Sequence, residues 1–565
     1  MCKATPMTKL LRVIRSAILL TSPLGVVLSI QAYQIPQAPA LGDKTTGEKC
    51  SIEGRVLSST TGQPLGRATI MLIAGAVTNR VTTESGEDGR FSFVGLNAAR
   101  YTLSAQRAGY LGQYYGAGGA SASSTYLVLA PGQQLKDVLF KLIPAAVISG
   151  RVLDQDGAPV GSMVVQALRA RWVRGVRLWA SAGTVRTNDL GEFRIANLTA
   201  GEYLVPAFKE SSISSTNLSA QPPGDKPERE YVATFFPNAT DAPGAVPVQV
   251  AAGTEAGGTE IRLRRTDTVR IRGKVISAPE GNVVVVNLSP QGVTDSTVAN
   301  LQGARNASSR QKDGSFELNR VVPGAYMLSA SFMNGQTVFV AALPLQVGER
   351  HIEGLVLRPV AAIELAGAVV VADKTSTQLS GLQIRLEPVE YLGIAAAPGR
   401  ASEEGRFALT GIQPGRYRVQ VSNLPEGSYV QSVRYGGQEV TEEGIDLTSG
   451  ASSSLQISLS LAGAQVDGVV QGKDDKPVSG ATVALVPDSK RYSLFREART
   501  GENGSYSLKG VAPGEYKILA WDNIETGAYQ DPDFLKRYEG KADKLSLTEK
   551  EHKSVSLKVT PLQAH

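Results

Sequence analysis

An eighteen-residue pattern occurs five times in the chain with constant internal spacing: DGRFSFVGLNAARYTLSA from Asp88, LGEFRIANLTAGEYLVPA from Leu190, DGSFELNRVVPGAYMLSA from Asp313, EGRFALTGIQPGRYRVQV from Glu404 and NGSYSLKGVAPGEYKILA from Asn503. In each copy a glycine (Gly89, Gly191, Gly314, Gly405, Gly504) stands twelve residues before a tyrosine (Tyr101, Tyr203, Tyr326, Tyr417, Tyr516). A supersecondary unit recurring at a near-fixed period specifies an array of similar domains. Within one copy the physics is local. The acidic-residue–Gly or Asn-Gly pair is turn chemistry, because glycine accepts positive φ without steric cost. An alternating strand follows, then in most copies a Pro-Gly or Ala-Gly turn, then a second alternating strand that begins at the tyrosine. The unit reads as a hairpin-like pair of strands, each with one inward aromatic.

A second signature precedes every copy: an apolar residue, a spacer, then Gly-x-Val. It occurs at Ile52–Val56, Ile148–Val152, Ile271–Val275, Leu365–Val369 and Val466–Val470. Three copies continue into a polar turn with proline (Pro64, Pro159, Pro477), and all five close on a further alternating segment. No long stretch has a 3.6-residue apolar period. Many short strands with frequent turn signals indicate antiparallel β-sandwiches.

The series I-x-G-x-V, G-x-P, D-G-x-F, P-G-x-Y resembles the carboxypeptidase regulatory-like domain, whose fold is similar to transthyretin, to starch-binding-type modules and to the B-type domains of collagen adhesins. The resemblance covers nearly all of the chain after about residue 50. It implies an accessory, non-catalytic module and does not bring the zinc enzyme with it. The fourth copy lacks the G-x-P turn, and the first has Ala99-Arg100 where the others have Pro-Gly or Ala-Gly. The expected architecture is all-β: five tandem transthyretin/Ig-like antiparallel β-sandwich domains in an extended array, at 50–144, 145–266, 267–361, 362–462 and 463–562.

The N-terminus has a different character. Residues 1–40 hold Lys3, Lys9, Arg12 and Arg15 and no acid, followed by an apolar run from Ala17 to Ile30. This is the layout of a secretory signal peptide. It is assigned to 1–32, with a disordered linker at 33–49. The formal charge of +6 over the chain falls to +2 once those four cations are removed. The basic balance therefore belongs to targeting and makes no case for nucleic acid. Of two cysteines, Cys2 lies in the signal, so Cys50 has no intrachain partner after cleavage and is expected to be buried.

Motifs for catalysis are missing. The three histidines (His351, His552, His565) form no zinc-ligand pattern, and there is no nucleophile elbow or phosphate loop. No catalytic residue, metal site or cofactor is expected. The acidic turns Asp154–Gly157 and Glu84–Gly89 read as turns in which Asp serves its own backbone, in preference to Ca²⁺ loops. The most suggestive surface is the segment from Arg169 to Trp179, which holds two of the three tryptophans. Aromatic faces stack on sugar rings, and guanidinium forks bond hydroxyls or acidic groups. Candidate ligand residues are Trp172, Trp179, Arg171 and Arg174, with Tyr114 and Tyr115 from an aromatic Gly-rich loop. The competing reading is a long hairpin whose tryptophans cover a sandwich edge while arginine stays in water.

These features indicate an exported, non-catalytic protein of the periplasm, outer envelope or medium. Its expected partners are polysaccharide or envelope proteins, with the membrane engaged only through the export signal. Carbohydrate is the favoured ligand. A stalk or scaffold making protein–protein contacts is the alternative, and an accessory to a hydrolase or transporter a third. Exposed tryptophans at 172 and 179 would favour glycan, buried ones a scaffold.

Overall fold

The computed structural model describes residues 48–75, 80–115, 127–209, 228–280, 282–309, 313–371, 379–390, 396–489, 491–501, 503–522 and 524–562. The segment read as an export signal (1–32) and nearly all of the expected linker lie outside them. These described residues belong to one compact unit.

The first repeat shows the plan. Cys50–Ser58 alternates strictly, turning Cys50, Ile52 and Val56 inward, each at most 1% exposed. It pairs antiparallel with Arg90–Leu96 on one side and parallel with Gln134–Leu142 on the other. A second sheet is built on Thr69–Ala74, which pairs antiparallel with Arg80–Glu84 and with Arg100–Gln106. The inner faces of the two sheets meet in one apolar cluster containing Ile52, Val56, Phe91, Phe93, Tyr101, Leu103 and Phe140. Four further clusters draw on the second, third, fourth and fifth repeats in the same way. In each, the Gly-x-Val strand is flanked by the D-G-x-F-type strand and by a parallel closing strand. The all-β sandwich class holds, with parallel pairing of the closing segment on the Gly-x-Val strand in every repeat added to otherwise antiparallel sheets.

Sequence and structure differ in the eighteen-residue unit. Its two strands are not a hairpin: Arg90–Leu96 and Arg100–Gln106 belong to different sheets. The tyrosine accounts for this. In all five copies its hydroxyl donates to the backbone carbonyl four residues earlier: Tyr101 to Asn97 at 2.8 Å, Tyr203 to Thr199 at 2.7 Å, Tyr326 to Val322 at 2.9 Å, Tyr417 to Gln413 at 2.7 Å and Tyr516 to Ala512 at 2.8 Å. The bond fixes the corner by which the chain crosses from one sheet to the other, as tyrosine corners do in Ig-type sandwiches. Burial pushes the Tyr417 phenol up to about 12, so it stays a donor at neutral pH.

The turn glycine ties the two signatures together. Gly89, Gly191, Gly314, Gly405 and Gly504 all have φ between +68° and +80°. Their carbonyls accept from the amides of Val56, Val152, Val275, Val369 and Val470 at 2.8–2.9 Å. A Cβ at any of them would sit 2.2–2.7 Å from the carbonyl oxygen of that same valine. Both the backbone angle and the close approach require glycine. Cys50 is buried, with its thiol 3.1 Å from the Ala130 carbonyl.

Candidate functional site

The arginine- and tryptophan-rich segment forms a long hairpin, Val164–Val173 paired antiparallel with Val176–Arg186. Its two-residue turn is Arg174-Gly175, with φ of +50° and +73°, the primed-turn geometry that suits the twist of a hairpin. The register sets its faces. Ala170 is opposite Trp179 and Trp172 is opposite Arg177, so both tryptophans are on one face. Arg169 and Arg171, opposite Ala180 and Leu178, are on the other.

The tryptophan face contacts other repeats. The Trp172 amide donates to the Thr526 carbonyl at 2.9 Å, and its indole packs on a cluster in the fifth repeat that contains Trp521, Tyr529 and Tyr538. Gly527 fits under it: a Cβ there would lie 2.1 Å from the Trp172 carbonyl oxygen. The Arg174 amide donates to the side-chain oxygen of Gln530. Trp179 packs on the cluster of Leu168, Leu204 and Phe235, against which Leu301 of the third repeat also packs, and its amide donates to the Asp295 carboxylate. Asp295 also caps Ser296–Leu301 in the third repeat, accepting from the Thr297 amide at 2.7 Å. The Arg177 guanidinium lies 4.7 Å from the Trp179 ring centre. Both candidate tryptophans are thus half-buried. In an array where each domain meets only its sequence neighbours, the second repeat would not touch the fifth; this hairpin does, a contact the tandem reading did not anticipate.

The other candidates separate. Arg171 is exposed and lines a cleft of about 930 Å³. Tyr114 is 42% exposed, whereas Tyr115 is half-buried with its ring edge-on to Phe140 at 6.1 Å in the first repeat's core. The six residues do not converge. What sequence reasoning missed are the groups the tertiary fold brings to them, Asp295, Thr526, Gly527 and Gln530, more than a hundred residues away with no local signal of their own. The acidic turns serve their own backbones: Asp154 accepts from the amides of Asp156 and Ala158 at 3.0 and 2.9 Å, and Asp88 from that of Arg90 at 3.0 Å. Of the histidines, His351 accepts from the Arg270 amide, His552 pairs with Asp467, and His565 is outside the described residues. Among the described residues no group of three His, Cys, Asp or Glu is arranged to hold a metal, and no helix is long and apolar enough to cross a membrane.

Comparison with known proteins accords with the repeat analysis. The serine-aspartate repeat-containing protein D of Staphylococcus aureus (strain Newman) is 25% identical over 166 residues, 26% of this chain and 12% of that protein; the protein of strain MW2 matches to the same extent. The chain thus spans about an eighth of the length of these curated relatives. Among solved structures, the minor pilin GBS52 of Streptococcus agalactiae covers 39% of this chain and 97% of its own at 13% identity and a TM-score of 0.21. The full-length major pilin RrgB of Streptococcus pneumoniae covers 91% and 100% at 8% identity and a TM-score of 0.19. The model of the carboxypeptidase regulatory-like domain matches residues 51–142 and 465–525, the first and last of the five repeats. The family model thus matches the outer two copies, and the same strand plan and tyrosine corner recur in the three between them.

Proposed function

We propose that the chain is an exported, non-catalytic protein of the cell envelope that works as a scaffold, its five repeats forming sandwiches at 50–144, 145–266, 267–361, 362–462 and 463–562. The observation that carries this reading is the hairpin of the second repeat. Trp172 and Trp179, the residues a neutral-glycan platform would need exposed, are half-buried, Trp172 against the fifth repeat and Trp179 against its own repeat's Leu168, Leu204 and Phe235 with its amide bonded to Asp295 of the third. Large aromatics held between modules add contact area at low entropic cost and fix their relative orientation. The basic N-terminal stretch followed by the apolar run from Ala17 to Ile30 supports export. The fold does not decide function, and the scaffold reading rests on how the aromatics are used.

The test is in-cell cross-linking with envelope fractionation, alongside a neutral-glycan array on the full chain and its Trp172→Ala variant. A scaffold is recovered in the envelope cross-linked to other proteins, with no glycan signal that depends on Trp172. Recovery in the cytoplasm, or Trp172-dependent binding of a neutral glycan, overturns the reading.

A further inference from the structure

The face of the hairpin opposite the tryptophans points to a site of different chemistry. Arg169 and Arg171 of the second repeat and Arg67 and Arg107 of the first line one open cleft of about 930 Å³, joined by Thr526 of the fifth. Among the described residues its walls contain four arginines and no carboxylate. Elsewhere the chain pairs its exposed arginines freely, as in Arg151–Glu192, Arg194–Glu255 and Arg262–Glu260. None of the four cleft arginines has a carboxylate partner among the described residues. Arg107 lies over the Tyr110 ring at 5.3 Å, and Arg169 donates to the Thr199 hydroxyl. The Arg169 Nε is buried without a hydrogen-bond partner.

Four like charges around one cavity repel one another, and a buried guanidinium N–H without an acceptor is unfavourable; an anion relieves both. The guanidinium fork suits carboxylate, sulfate or phosphate oxygens, and the Tyr110 ring with neighbouring hydroxyls suits a sugar. The cleft is open, so a chain can run through it. The charge is also local: beyond the N-terminal segment the sequence carries only about +2, far from the broad basic field of a nucleic-acid binder. We propose that this cleft binds an acidic polysaccharide, its carboxylate- or sulfate-bearing sugars held by Arg67, Arg107, Arg169 and Arg171. This site shares only Thr526 with the tryptophan contacts and none of its arginines, so failure of the arginine variants leaves the scaffold reading untouched.

The experiment is isothermal titration of the full chain with polygalacturonate, neutral dextran and a single-stranded DNA oligonucleotide, at low and at raised salt. Binding to polygalacturonate that weakens with salt, with none to dextran, is expected. Arg107→Gln together with Arg171→Gln should weaken it roughly tenfold or more. Arg171→Lys should retain part of the affinity, and Arg151→Gln, on the same repeat but away from the cleft, all of it. Arg67→Gln alone, in an exposed loop, gives a second reading if the double variant melts early. Equal binding of dextran, tighter binding of DNA, no binding of polygalacturonate, or full affinity in both the double variant and Arg67→Gln would overturn the proposal.

Discussion

Removing one hydroxyl, by Tyr417→Phe, tests whether the tyrosine corner holds each repeat independently. The Tyr417 ring is 3% exposed in the fourth repeat's core, and its hydroxyl donates to the carbonyl of Gln413, itself only 4% exposed. Phenylalanine keeps the ring packing and removes the donor. The carbonyl then loses this partner in a place water reaches poorly, at a cost of about 1–2 kcal/mol. That corresponds to roughly a 5- to 30-fold rise in the open population. A single unfolding free energy is poorly defined for a chain of several cores, so the assay is hydrogen exchange read peptide by peptide on the full chain. Peptides from 363–459 should exchange 5- to 30-fold faster by these figures, and those of the first repeat should be unchanged. Raising the pH supplies an independent check. The phenol titrates near 10 when unfolded and at about 12 when folded, so its contribution is complete below pH 10 and is lost as pH rises through about 12. Protection of the fourth repeat in the wild type should fall in that window more than in Tyr417→Phe. Unaltered exchange in 363–459, or acceleration spread evenly over all five repeats, would refute the reasoning.

Three further outcomes follow from the same geometry. Gly191→Ala places a side chain at φ +69° and 2.5 Å from the Val152 carbonyl oxygen, and should destabilise the second repeat by about 2 kcal/mol or more, read as faster proteolysis of 146–263. Gly527→Ala should disrupt the contact with Trp172 while sparing both main cores; accelerated exchange at 168–176 and 524–538 is expected, and unchanged exchange there would mean the hairpin does not dock on the fifth repeat. Cys50, 1% exposed, should resist iodoacetamide in the native chain and alkylate on unfolding, as peptide mass spectrometry would show.

Much of the fold was legible because its determinants are short-range. The glycine at positive φ, the alternation in Cys50–Ser58 and the tyrosine twelve residues after the glycine are properties of a few consecutive residues, and the chain repeats them five times. The error about the eighteen-residue unit has the same origin. Two alternating strands around a Pro-Gly or Ala-Gly turn resemble a hairpin, and nothing local reveals that the tyrosine hydroxyl bonds four residues back and carries the chain to the opposite sheet. For the candidate site, the residue types were found and their roles were not: Trp172 and Trp179 stood out as aromatics beside arginine, but Trp172 packs on the fifth repeat and the Trp179 amide is held by Asp295 of the third.

The sequence by itself determined the sandwich. Each repeat encodes its own turns, inward positions and corner, and those interactions close within about a hundred residues. Only the tertiary structure decided what the surfaces do. The pairing register sends the tryptophans to one face of a hairpin and the arginines to the other, and the placement of the repeats covers the first face and leaves the second lining an open cleft. Contacts between residues hundreds of positions apart depend on shape and charge complementarity between finished surfaces, which no local pattern of side chains records.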